Sequence, residues 1–162
     1  MSCDVALAAT LFFAAASPVG AQPQLIPAVA AAPAPASVAS EPLFSDIVAR
    51  AKKLKAEADA MIGQPGLAAA AAPLTLAGFQ AFQDQVNQLS ALDMQGHLEL
   101  AKRGTDGDLK CILKGISQDL PLKLQGVQEA KTGAAQLAAL KEMTYLLNDN
   151  VEVITSPPIP KV

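Results

Sequence analysis

The chain has 162 residues, a formal net charge of −3 and a hydrophobic fraction of 51%. This length is typical of a single domain, and this apolar content is enough to form a core. Proteins that bind nucleic acids need clustered excess cations. The mild acidic balance therefore leads us to expect no nucleic-acid partner.

The N-terminus has the pattern of a secretory signal peptide. Residues 5–16 form an apolar run that is too short to span a membrane, and the small residues Val19, Gly20 and Ala21 follow. We predict cleavage after Ala21 and a periplasmic or secreted mature protein, with no transmembrane helix. The residues before the run include an Asp and no Lys or Arg, which leaves open a misplaced start codon or a cytosolic protein with an apolar tail.

A proline-rich segment separates this leader from the rest of the chain. Its prolines are Pro23, Pro27, Pro33 and Pro35. Proline at that density blocks helix formation and favours an extended polyproline II tether. The predicted organisation is a signal peptide (1–21), a proline and alanine-rich linker (22–39), a helical bundle domain (40–150) and an extended tail (151–162).

The first amphipathic helix is predicted between Ser40, as its N-terminal cap, and Gly63, which ends it. Its apolar residues recur every three or four positions, the spacing of one helix face; they are Phe44, Ile47, Val48, Ala51, Leu54, Ala58 and Met61. Its charged face is interpreted either as solvated ion pairs or as a patch for anionic lipid or an envelope polymer.

A second helix is predicted from a cap at Thr75 to Arg103, with Gly104 as its stop. Between the first two helices, residues 67–72 are mostly alanine. We interpret them as either a helical turn or a loose connector.

The segment from Asp106 to Asn148 carries the densest helical pattern of large aliphatic side chains. Pro121 falls inside this pattern, and because its ring clashes with the carbonyl four residues back, we expect a kink or a restart there. Gly133 is a second interruption, and Asn148 to Asn150 indicates a turn before an extended tail. The fold predicted is all-α, a small antiparallel bundle of three to four helices.

His97 is the only histidine in the sequence, which excludes zinc sites built from several histidines. It lies one helical turn after Asp93 on the apolar side of its helix, with Met94 at the margin. We expect a local hydrogen bond between Asp93 and His97. The alternative is a weak metal site in which His97 acts with Met94.

Cys111 is the only cysteine that remains after the predicted cleavage, because Cys3 lies in the leader. It falls in the first turn of its helix, away from the aliphatic stripe, and Lys110 and Lys114 nearby favour the thiolate. Three interpretations remain open. They are an unreactive half-buried thiol, an intermolecular disulfide that makes a homodimer, and a reactive or ligand-binding thiol.

The sequence contains no glycine-rich phosphate loop, no G-x-S-x-G and no H-E-x-x-H motif. We therefore predict no catalytic residue, no cofactor and no enzymatic activity. The favoured interpretation is an exported, non-catalytic helical protein that binds an unknown protein or another component of the cell envelope. The alternative is a small-ligand or metal-binding helical bundle that uses His97 with Met94 or Cys111.

Overall fold

The structure is a computed structural model that describes residues 37–104 and 108–156. Its elements are α1 (Pro42–Ile62), a short 3-10 helix (Leu67–Ala69), α2 (Phe79–Lys102), α3 (Leu109–Glu129) and α4 (Gly133–Thr155), and the described residues contain no strand. The predicted all-α bundle is confirmed, with four helices. The predicted signal peptide, nearly all of the linker and residues 157–162 lie outside the described residues.

The four helices form an antiparallel ring in which α1 packs on α2 and α4, and α3 packs on the same two helices. An ion pair of 2.8 Å between Arg103 and Glu41 joins the end of α2 to the start of α1. Lys123 and Glu142, 3.1 Å apart, join α3 to α4. We call the end of the bundle where α1 begins and α4 finishes the tether end, and the opposite end the distal end.

The core is built from the apolar stripes that the sequence pattern predicts, together with Leu67 of the 3-10 helix and Ile154 of α4, which were predicted outside the helices. Its largest fully buried side chains are Phe44, Ile47, Leu54, Leu67, Phe82, Leu89, Leu113, Leu120, Leu140, Met143, Leu147 and Ile154. Each such side chain contributes about 1.5 to 3 kcal/mol when it is removed from water. Among the helices of the described residues, none is both long enough and apolar enough to cross a membrane.

Helix α1 follows the prediction closely. Its N-cap is Glu41 rather than Ser40, and Pro42 occupies the first position, where proline loses no hydrogen bond. Just before the helix, Val38 and Ala39 already pack against the core. On the outer face, three cations pair with carboxylates one turn away, in Arg50–Asp46, Lys53–Glu57 and Lys55–Asp59. This arrangement agrees with a solvated face of ion pairs.

The predicted cap of α2 at Thr75 is wrong, because α2 begins at Phe79 after Gly78, which has a left-handed φ of 73°. The preceding segment is held against α4 instead of joining the helix. The side-chain amide of Gln136 accepts a hydrogen bond from the Leu74 backbone N–H at 2.9 Å and donates to the Leu74 carbonyl at 3.0 Å. The predicted stop is confirmed at Gly104, whose φ is 66°.

Helix α3 continues through Pro121 without a restart. Proline has no N–H, so the carbonyl of Ser117, four residues earlier, loses its partner within the helix. The Ser90 hydroxyl of α2 donates to that carbonyl at 2.7 Å. A neighbouring helix thus replaces the missing donor.

Gly133 marks the start of α4 and is a point of close backbone approach. A Cβ at this position would overlap the carbonyl oxygen of Leu67, and the Gly133 N–H donates to the Ala70 carbonyl at 2.9 Å. Thr132 caps the helix by accepting from the Ala135 N–H at 3.2 Å. The C-terminal half therefore contributes two helices, α3 and α4.

The predicted turn at residues 148–150 and the extended conformation of residues 151–155 are wrong. Helix α4 runs through this stretch to Thr155. Ile154 is fully buried and Asn150 is buried in the core. These tertiary contacts outweigh the local preference of β-branched residues for strand, so the bundle extends at least five residues beyond the predicted boundary.

Replacing Gly133 by alanine should destabilise the protein by about 3 kcal/mol, because the new Cβ would meet backbone atoms that cannot rotate away. Gly115, inside α3, has no neighbour within 4 Å of a built Cβ, so Gly115→Ala should instead stabilise by about 1 kcal/mol. Urea unfolding of both variants measures the difference. Equal effects would contradict the close approach at Gly133.

The contact between Ser90 and Ser117 predicts a coupling with Pro121. Ser90→Ala should lower the free energy of unfolding by about 1 kcal/mol when Pro121 is present. The loss should be clearly smaller in the Pro121→Ala background, because the backbone N–H of the new alanine donates to the Ser117 carbonyl. The exposed Ser45 of α1 provides the control, since Ser45→Ala should be additive with Pro121→Ala. Additivity of Ser90→Ala in the same cycle would refute the compensation.

Candidate functional site

A buried polar pair crosses the core near the tether end. Asp93 of α2 and Asn150 of α4 are both 0% exposed, and the Asn150 side-chain N–H donates to Asp93 Oδ2 at 2.8 Å. Burial disfavours the charged carboxylate and raises the pKa of Asp93 to about 8, although the hydrogen bond from Asn150 acts in the opposite direction. Among the acidic side chains of the described residues, Asp93 has the pKa that departs most from its ordinary value.

The predicted hydrogen bond between Asp93 and His97 is wrong. His97 Nδ1 lies 2.6 Å from the backbone carbonyl oxygen of Lys110 at the start of α3. Because a carbonyl only accepts, Nδ1 must carry the proton that is donated. The imidazole therefore turns toward α3, whereas Asp93 reaches across the core to α4.

Met94 and His97 are both half-buried on α2, as expected for residues near the edge of an apolar stripe. Among the described residues, no three His, Cys, Asp or Glu side chains gather as a metal centre would require. The structure therefore adds no ligand cluster to the weak candidates His97 and Met94, and their use in a metal site stays a prediction.

Cys111 is half-buried in the first turn of α3. Its sulfur takes part in a disulfide, and its partner lies outside the described residues. The described part of the chain contains no free cysteine. The interpretations of Cys111 as a free thiol, unreactive or reactive, are therefore wrong for this structure, and an intermolecular bridge stays a prediction.

Arg103 closes the tether end and was not singled out by the sequence pattern beyond its place at a helix terminus. Its guanidinium pairs with Glu99 at 3.2 Å and Glu41 at 2.8 Å and lies 5.9 Å above the ring of Phe44. The hydrogen bond from Arg103 lowers the pKa of Glu41. These contacts hold the first turn of α1 on the end of α2.

The distal end has an open cleft of about 560 Å³, which we call the distal cleft. It lies between the last turn of α1 and the first turn of α2, and its lining is Ala60, Met61, Gly63, Pro65, Ala77, Gly78 and Ala81 with the polar residues Glu57, Gln64 and Gln85. Sequence reasoning missed this cleft because the path of residues 63–78 depends on their attachment to α4.

The polar side chains of the distal cleft bond within the protein. Gln85 donates to Glu57 at 3.5 Å and accepts from Lys53 at 2.7 Å, while Gln64 donates to the Thr75 carbonyl at 3.4 Å. Glu57 is the only titratable side chain in the lining. The arrangement offers an apolar surface with a few amide groups, which suits binding rather than acid–base chemistry.

Comparison with known proteins gives no match to a family model, to a curated protein or to a solved structure.

Proposed function

We propose that this protein is an exported, non-catalytic binding module of the cell envelope, which receives an apolar segment of a partner protein in the distal cleft. The observation that carries this proposal is the position of the cleft. Helix α1 begins and α4 finishes at the tether end, whereas the cleft lies at the opposite end of α1. The 21 residues of α1 separate these two ends by roughly 30 Å.

The size and lining of the cleft favour a protein segment as its occupant. Its volume of about 560 Å³ falls within the range of roughly 300 to 1,000 Å³ that binding pockets have. Its apolar part is formed by small side chains and by the exposed edge of Met61, which otherwise packs in the core with 7% of its surface exposed. An apolar side chain presented by a partner would thus find a complementary surface.

The predicted linker enters the bundle at the start of α1, at the end opposite the distal cleft. After the predicted cleavage its N-terminus at Gln22 is free. Export itself rests on the apolar run and the small residues that end at Ala21.

The alternative, a ligand or metal held inside the bundle, has less support. The interior near His97 is occupied by packed side chains, since a Cβ added at Gly96 would already lie 3.2 Å from Leu113 and 3.3 Å from Phe44. His97 donates to a backbone carbonyl. These contacts leave little room for a ligand beside the imidazole.

A photo-crosslinking amino acid placed at Ala81, in the distal cleft, should capture a partner protein in intact cells. The same group at Ala91, which is exposed on α2 outside the cleft lining, is the matched control and should capture far less. Ala81→Arg should reduce co-purification of that partner at least tenfold, and Ala91→Arg should leave it unchanged. Equal capture from the two positions would refute the cleft as the binding surface.

The processed protein should begin at Gln22, because the apolar run is followed by the small residues that end at Ala21. N-terminal sequencing of the exported material checks this expectation. Exported protein that retains residues 1–21 would contradict the cleavage.

A further inference from the structure

The pair of Asp93 and Asn150 contains two oxygens that lack a partner. Oδ2 of Asp93 accepts from Nδ2 of Asn150, but Oδ1 of Asp93 and Oδ1 of Asn150 are both buried and accept no hydrogen bond. A buried acceptor without a donor costs about 1 to 3 kcal/mol. Two such atoms on one bonded pair call for a common explanation.

We propose that Asp93 is a neutral carboxylic acid in the folded protein, and that its Oδ1–H donates to Oδ1 of Asn150. A protonated carboxyl group has one O–H donor and a carbonyl acceptor, and a primary amide has two N–H donors and a carbonyl acceptor. Each group then donates once to the other. A single proton satisfies both oxygens and closes a reciprocal acid–amide pair between α2 and α4.

The alternative of an ionised carboxylate requires a compensating cation or donor, because an unpaired buried charge is costly. The nearest turns of the surrounding helices carry charged residues on their outer sides, all at least partly exposed: Asp46 and Arg50 on α1, Lys110 and Lys114 on α3, and Asp149 and Glu152 on α4. Arg50 pairs with Asp46 at 2.9 Å. None of these charges contributes to the environment of the Asp93 carboxyl, which is set by burial and by Asn150.

On α2 itself, the nearest titratable side chain is His97, one turn later. Its Nδ1 is engaged with the Lys110 carbonyl, and neither oxygen of Asp93 accepts a hydrogen bond from the imidazole. Burial raises the pKa of Asp93 to about 8, which agrees with the state that the geometry requires.

A neutral Asp93 makes the stability of the bundle depend on pH. The folded state keeps the proton up to about pH 8, whereas an unfolded chain releases it near 4. Between these values the folded state binds more protons, so the contribution of Asp93 to stability is full below pH 4 and falls as pH rises toward 8. A carboxylate that is ion-paired in the folded state gives the opposite pH dependence, because its contribution to stability is lost as pH falls.

The direct test is a titration of the Asp93 side-chain carboxyl carbon by NMR on the selectively labelled native protein. We expect its chemical shift to stay at the value of a neutral acid through pH 6 and to change only near pH 8. A midpoint near 4 would overturn the proposal. It would also be the result if an ordered water, rather than a proton, bridged the two oxygens.

Asp93→Asn provides a second test, because an amide at this position can donate to Asn150 and accept from it as the neutral acid does. The variant should match the native protein at pH 4 and exceed its unfolding midpoint by a margin that grows up to pH 8. Asp84→Asn, which changes an exposed carboxylate on the same helix, is the control and should show no growing margin. Parallel curves for the native protein and Asp93→Asn would also overturn the proposal.

Discussion

The fold depends on the burial of four aliphatic stripes around one axis, and three polar contacts set how the helices align along it. Asp93 meets Asn150 near the tether end, Ser90 meets the Ser117 carbonyl beside Pro121, and Gln136 binds the Leu74 backbone at the distal end. Aliphatic contacts supply most of the stability but are tolerant of small shifts. Polar atoms that are buried must find their partners, so the three contacts favour one alignment over its neighbours.

The helical stripes were predictable because the periodicity of apolar residues and the capping of helix ends depend on residues only a few positions apart. Helix α1 is the clearest case, because its apolar positions and its end at Gly63 were predicted correctly and its cap was displaced by only one residue. The errors share a different cause. The start of α2 depends on Gln136, far along the chain, the continuity of α3 depends on Ser90, and the last turn of α4 depends on the burial of Ile154. Contacts between distant segments decided each of these boundaries.

In the candidate site, too, local features were predictable from the sequence and contacts between distant segments were not. Asp93 was recognisable as a polar residue on an apolar helix face, but its partner was not, because Asn150 lies in a run of asparagine and aspartate that locally resembles a turn. His97 attracted attention as the only imidazole and proved to bind a backbone carbonyl. The distal cleft joins residues of α1 and α2 with a connector whose path is fixed by α4. No local pattern could reveal it.

The shared location of the first turn of α1 and the last turn of α4 has a practical meaning for anyone who handles this molecule. A fluorophore or a biotin attached at Ser40 or at Ser156, which are both exposed, would lie at the same end of the bundle. Immobilisation on a sensor surface through either residue would therefore present the same opposite face to solution. Either attachment point leaves the distal cleft accessible.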